Sequence, residues 1–312
     1  MSGISVEDLV KIYPGSTQPA VDGVNLAVNP GQVVGLLGPN GAGKSTLIGA
    51  CTTRVRPTTG HVRIGSTDVA TDPVAAKRRI GVMAQHNTLD RAVSVWENLY
   101  LHCRYFGIAA RTARARANEL LADFSLDDHR DALIPTLSGG QARRLQLARA
   151  LAHSPTVVFL DEPTVGLDPQ SRHLLWTLIT ELREHHVAVL LTTHYMDEAD
   201  RLCDQLAIID HGRVIAHGTP SDLKAQLGAD TTISLTVSTN PTALTTVLTN
   251  LPQVASVSQT AASQLIILLN GGERATAAVV QAAVPFGLTA LAVEPTSLET
   301  VFITLTGRGL RD

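Results

Sequence analysis

The sequence predicts an α/β fold: a nucleotide-binding parallel sheet, followed by a small α+β domain. Three observations carry that prediction. Gly38-Pro39-Asn40-Gly41-Ala42-Gly43-Lys44-Ser45-Thr46 matches G-x-x-x-x-G-K-[ST], a phosphate-binding loop. The apolar run Thr156 to Leu160 ends in a pair of acids, Asp161-Glu162. Past residue 228 charge drops, Thr, Ala and Val rise, and short strand and helix patterns alternate.

The elements follow in order. Residues 4–13 and 20–28 alternate apolar and polar, which reads as antiparallel strands. Tyr13 closes the first. On the residues alone a strand-end tyrosine is more often ordinary packing, although such a ring can stack on a base. Val33 to Leu37 is a continuous apolar run, read as a buried strand, and a helix starts near Thr46. The glycines therefore sit on a strand-to-helix turn. Small residues let successive N–H groups turn toward one anion, and the helix N-terminus adds partial positive charge. Lys44 is then placed for the β- and γ-phosphates and the Ser45 hydroxyl for Mg²⁺.

Arg56 to Gly60 reads as a turn, His61 to Gly65 as a strand, and Arg79 to Gln85 as a strand ending at Gln85. Residues 94–150 read as helical. Ser94 and Glu97 form a capping box, and a second helix runs from Thr112 to Phe124. Ser138 then caps a helix behind Leu137-Ser138-Gly139-Gly140-Gln141, whose glycines leave backbone N–H groups uncovered. This is either a second anion site or a capped surface helix. Asp161 and Glu162 leave the carboxyl end of a strand, where open α/β sheets bind ligands. Asp161 suits Mg²⁺ through its water shell, and Glu162 suits a general base. Asp168-Pro169 starts a helix. Ala188 to Thr193 is an apolar strand ending at His194, which is polar punctuation or a donor to a γ-phosphate oxygen. Val214 to Gly218 and Ser221 to Leu227 close the domain as a strand and a short helix.

Net charge is −3, so no basic field points to nucleic acid. Cys51, Cys103 and Cys203 are too scattered for a metal pattern and read as buried thiols of a reducing compartment. The N-terminus is not expected to be a signal peptide, and no apolar run approaches the 18 or so residues of a membrane span.

Taken together, residues 4 to about 225 resemble the ATP-binding subunit of an ABC transporter. Leu137 to Gln141 matches the signature sequence, Gln85 the Q-loop and Val158 to Glu162 the Walker B strand. Gly166-Leu167-Asp168 matches the D-loop, His194 the switch histidine and Tyr13 the stacking aromatic. Val165 and Ala84 depart from common family residues without touching a group needed for hydrolysis. The resemblance implies an ATPase that binds ATP and Mg²⁺. Its nucleotide site is Tyr13, Gly38, Asn40 to Thr46, Ser138 to Gln141 and Asp168. Its catalytic residues are Lys44, Gln85, Glu162 and His194. Ser45, Gln85 and Asp161 lie toward the metal. It also implies a head-to-tail homodimer, each ATP lying between the phosphate loop of one copy and Ser138–Gln141 of the other. The loop after Gln85 would contact an integral membrane transport subunit, with the ATPase at the cytoplasmic face of the bacterial membrane.

Residues 229–312 read β-α-β-β-α-β plus a last helix over 297–306, a ferredoxin-like accessory domain without catalytic clusters. Dimer support, partner contact and ligand sensing are its open roles. Its closing run, Glu294 to Arg308, and Glu162 to Pro169 resemble the daunorubicin-resistance ATPases of type-2 ABC exporters. Three functions remain. The first is export of drugs or other amphipathic compounds. The second is an importer ATPase with a ligand-sensing tail. The third is a soluble ABC ATPase acting on ribosomes or DNA.

Overall fold

The computed structural model describes residues 3–270 and 272–307. The chain divides into two units, one running to His217 and one starting at Gly218.

In chain order the first unit holds β1 (Ile4–Lys11), β2 (Val21–Val28), β3 (Val33–Leu37), α1 (Lys44–Cys51), β4 (Thr59–Ile64) and β5 (Thr67–Asp68). It continues with α2 (Pro73–Arg78), β6 (Ile80–Met83), α3 (Val95–Tyr105), α4 (Ala110–Asp123) and α5 (Gly139–Leu151). Then follow β7 (Val157–Asp161), α6 (Pro169–Glu184), β8 (Ala188–Thr192), α7 (Met196–Leu202), β9 (Gln205–Asp210) and β10 (Arg213–Gly218).

One sheet has the order β2-β1-β4-β5 and is antiparallel. The other has the order β10-β9-β3-β8-β7-β6, with β9, β3, β8, β7 and β6 pairing in parallel. Strands β3 and β8 are buried at every position, as the continuous apolar runs require of a sheet covered on both faces. The shared core joins Ile4, Val6 and Leu26 of the antiparallel sheet to Leu36, Leu47, Ile48, Phe159 and Leu190. This topology places the ends of three adjacent parallel strands together. The phosphate loop follows β3, the paired acids end β7, and His194 follows β8.

The helical stretch is α3, α4 and α5, with two short 3-10 turns between α4 and α5. The expected caps form. Ser94 Oγ accepts from Glu97 N while Glu97 Oε2 accepts from Ser94 N. Asp168 caps α6 ahead of Pro169.

The second unit holds α8 (Pro220–Ala225), β11 (Thr231–Val237), α9 (Pro241–Thr249), β12 (Val254–Ala261) and β13 (Gln264–Leu269). It ends with α10 (Gly272–Ala283), β14 (Leu288–Pro295) and α11 (Leu298–Thr306). The sheet order is β12-β13-β11-β14, and every pair is antiparallel. This is the ferredoxin-like strand order. Ile233, Leu235, Leu265 and Ile267 face Leu244, Leu248 and Val279 in its core. The unit begins before the composition shift because α8 packs on α11, burying Leu223 completely.

Candidate nucleotide site

The phosphate loop keeps its curl through two residues that favour glycine. Gly41 and Gly43 have φ of +78° and +108°, and a Cβ on Gly43 would strike the Ala20 carbonyl. Beside the loop lies a cleft of about 420 Å³, lined by Ala20, Pro39 to Thr46, Gln85, Asp161, Glu162 and His194. Gly38 stands at the loop's base, where Lys44 Nζ donates to its carbonyl and to that of Pro39 (3.0 Å). Burial lowers the Lys44 pKa, and the charges of Glu162 and Asp161 oppose that shift. An ammonium held against bare carbonyls above an acidic pair is well placed to exchange them for phosphate oxygens.

Glu162 is the hub of the cleft. It sits at φ +50°, a left-handed conformation that costs about 1–3 kcal/mol for a residue with a side chain. Gln85 Nε2 donates to its Oε2 at 2.7 Å, and His194 Nε2 pairs with its Oε1. Both residues thus converge on the carboxylate from separate strand ends. His194 Nδ1 is buried with no partner among the described residues.

Thr192, absent from the sequence expectations, ties the two acids together. Its hydroxyl donates to Asp161 Oδ1 (2.7 Å), and Thr192 Oγ1 in turn accepts from the Glu162 N–H (3.2 Å). The only sequence signal was a polar pair, Thr192-Thr193, ending an apolar run.

The remaining expected residues lie apart from the cleft lining. Tyr13 is 41% exposed, and its hydroxyl meets Thr46 Oγ1 at 3.3 Å. Ser138 Oγ accepts from Gln141 N at 3.2 Å and keeps its own hydrogen to donate. Gln141 returns the bond through Oε1 (2.8 Å) and reaches His129 with Nε2. Gly139 is exposed with open space where a Cβ would stand, whereas a Cβ on Gly140 would meet Ser171 Oγ at 2.5 Å. Asp168 caps α6, accepting from Ser171 N and Oγ (2.9 and 2.7 Å), and these bonds lower its pKa.

Helix α5 also holds the loop behind Gln85. Arg143 donates to the Ala84 carbonyl (3.3 Å), Gln146 to that of His86 (3.0 Å) and Arg149 to that of Thr88 (2.7 Å). Three side chains three residues apart therefore fix one loop along one helix face.

The described residues contain no group of three or more His, Cys, Asp or Glu able to hold a metal. Ser45, Gln85 and Asp161 offer hard oxygen donors on one cleft, and such a set suits Mg²⁺ only if phosphate and water complete the shell.

The family model described as ABC transporter matches residues 21–165. The chain is 47% identical over 227 residues to the daunorubicin/doxorubicin resistance ATP-binding protein DrrA of Streptomyces peucetius, covering 73% of this chain and 68% of the relative. It is 38% identical over 312 residues to the Nod factor export ATP-binding protein I of Ralstonia nicotianae, covering 99% and 95%. Among solved structures, an ATP-binding subunit of an ABC transporter is similar with a TM-score of 0.66 at 30% identity, covering 72% of this chain and 93% of that one. A dimeric ATP-binding cassette in a post-hydrolysis state with ADP and Pi is similar at 0.63 and 26%, covering 69% and 98%. The chain belongs to the ABC transporter family, as an ATP-hydrolysing subunit of the branch that holds the daunorubicin-resistance ATP-binding proteins.

Proposed function

We propose that this ATPase drives export of drugs or other amphipathic compounds through a separate integral membrane subunit, working at the cytoplasmic face of the membrane. The observation that carries the reading is the match along nearly the whole chain, tail included, to Nod factor export proteins. The higher identity to drug-resistance proteins supports the same direction. Among the described residues no helix is long and apolar enough to cross a membrane, and this reading takes the path for cargo from a partner.

Two copies are proposed to pack head to tail. Ser138 to Gln141 are not among the residues lining the cleft that holds the phosphate loop, and among the described residues a Cβ on Gly139 would meet nothing within 4 Å. An ATP on Lys44 of one copy would complete its contacts at the α5 N-terminus of the other, where backbone N–H groups and the Ser138 hydroxyl favour an anion. Tyr13 would stack on the base, and Asp168 would set the α6 start beside the shared site.

When bound, Mg²⁺ would be held by Ser45 and Asp161, with Gln85 beside it, and would neutralise charge on the phosphates. Lys44 binds the β- and γ-phosphates. Glu162 accepts the proton of the attacking water, and His194 then has its Nε2 free for a γ-phosphate oxygen. Gln85 leaves Glu162 as the nucleotide arrives. Its loop, 86–94, held by α5, carries the change to the membrane subunit. Nucleic acid has no part in this reading.

A pull-down of the Glu162→Gln protein from native membranes with Mg-ATP tests it. A co-purifying multi-helix membrane protein without a solute-binding protein is expected. A permease with a solute-binding protein would favour an importer, and ribosomal or DNA-bound proteins would overturn both transport readings.

A further inference from the structure

Behind the cleft lies a buried acid that the hydrolysis scheme leaves unused. Glu198 of α7 is 0% exposed. Its Oε1 accepts two hydrogen bonds, one from Thr164 Oγ1 (2.8 Å) and one from Trp176 Nε1 (2.9 Å). Thr164 lies two residues past Glu162 and is 1% exposed, and Thr193, equally buried, directly precedes His194. The Thr193 hydroxyl is near enough to favour the ionised form of the acid. Trp176 belongs to α6, and the Arg172 and Arg201 guanidiniums lie over its ring at 5.1 and 5.2 Å.

We propose that Glu198 is a positioning residue for ATP hydrolysis: its carboxyl ties the segment that carries Glu162 to the helix that follows His194. Backbone bonds hold the Glu162 segment at Glu162 N, which donates to the Thr192 carbonyl (3.1 Å), and in the turn from Val165 N to Glu162 O (3.4 Å); Glu198 adds a side-chain anchor beyond them. The Glu162 backbone is in a left-handed conformation, so it needs such outside support to keep that geometry. Thr164 follows the buried Pro163, and its side-chain hydroxyl is hydrogen-bonded to Glu198. On the other side, α7 starts directly behind Tyr195, so fixing Glu198 fixes the exit of the His194 segment. An apolar side chain of the same volume would fill this site without the desolvation cost of a carboxyl. The acid contributes a fixed acceptor at the junction of the two catalytic segments. Burial raises its pKa and the Thr193, Trp176 and Thr164 donors oppose that rise, while both hydrogen bonds of normal geometry meet Oε1. Glutamine copies that arrangement, and methionine copies only its size.

The inference rests on the roles proposed for Glu162 and His194, so three variants are measured side by side for kcat, KM for ATP, ADP affinity and melting temperature. Glu198→Gln should keep kcat within about threefold of wild type, because its carbonyl oxygen accepts both bonds. Glu198→Met should lose about tenfold or more in kcat, with KM and ADP affinity within about twofold, the pattern of an interaction needed in the transition state. Unchanged kcat in a folded Glu198→Met protein would overturn the inference. So would parallel loss of ADP affinity and melting temperature with kcat per binding-competent site intact, which marks packing alone. If the methionine variant fails to fold, Thr164→Val removes one donor with no change of shape. It should lower kcat severalfold at constant KM, and wild-type kcat there would overturn the inference. Glu162→Gln is the separate control: full activity in it would refute the role of Glu162, whatever Glu198 does.

Discussion

Gly139 and Gly140 are neighbours in one motif, yet the structure gives them different reasons to be glycine. A methyl at Gly140 would push into Ser171, whose hydroxyl is bonded to Asp168 at the start of α6. A methyl at Gly139 would meet nothing within 4 Å. In an isolated subunit Gly139→Ala should therefore be harmless. Alanine is favoured over glycine in a helix by up to about 1 kcal/mol, so melting should stay level or rise by a few degrees at most. ADP affinity should not change, because Gly139 is not among the residues lining the cleft. In the dimer the same methyl would be pressed against the nucleotide of the partner. Overpacking of that kind costs about 1–3 kcal/mol, which is roughly a 5- to 150-fold loss of rate. The assay is steady-state ATPase at saturating Mg-ATP, with thermal melting and ADP titration on the same preparation. Gly140→Ala should instead lower melting temperature and activity together. A Gly139→Ala protein with full ATPase would refute the argument that this open space is filled by a second copy's ATP.

Other outcomes follow from the same geometry. Lys44→Ala should lose nucleotide binding and ATPase together by titration and turnover assay, since the lysine is the one ammonium in the cleft lining. His194→Ala should keep ATP binding and lose about 10²-fold or more in kcat, the scale of a misplaced general base. Gln146→Leu frees the His86 carbonyl from α5, so stimulation of ATPase by the membrane subunit should fall while basal turnover holds. Burial lowers the pKa of His102 and His153 to about 4. In the unfolded chain both take protons near pH 6.5, so stability is full above that pH and is lost as pH falls from 6.5 toward 4. His153→Gln, which can still donate to the Ile80 carbonyl, should weaken that fall in melting temperature.

Much of the site was legible because its chemistry is local. The phosphate loop, the acid pair and the Ser138 cap each occupy one short segment, and their strand or helix ends follow from the apolar runs beside them. The capping box at Ser94 and the helix start at Asp168-Pro169 were readable for the same reason. Strand β9 was missed. Only Leu206 to Ile209 mark it, a run too short to separate from a helix end, although all four are buried against β3 and its neighbours. The short helices α2 and α7 carry too few turns for a period. The meeting of Gln85 and His194 on Glu162 had no sequence signal at all, because strand order, not spacing, brings three segments together. Glu198 is one of three acids in Asp197-Glu198-Ala199-Asp200 and carries no signal that sets it apart, and its burial decides its meaning. The domain boundary moved from 228 to 217 because a helix joined the tail through Leu223, a packing fact that composition does not encode.

The central claim is a nucleotide shared by two copies, each supplying half of the contacts. The most direct test is multi-angle light scattering of the Glu162→Gln protein, which should bind ATP without turning it over. With Mg-ATP it should run at twice the subunit mass, and with ADP or with Ser138→Arg added it should return to the single mass. A single-subunit mass at saturating Mg-ATP, with ATP shown bound, would contradict the account.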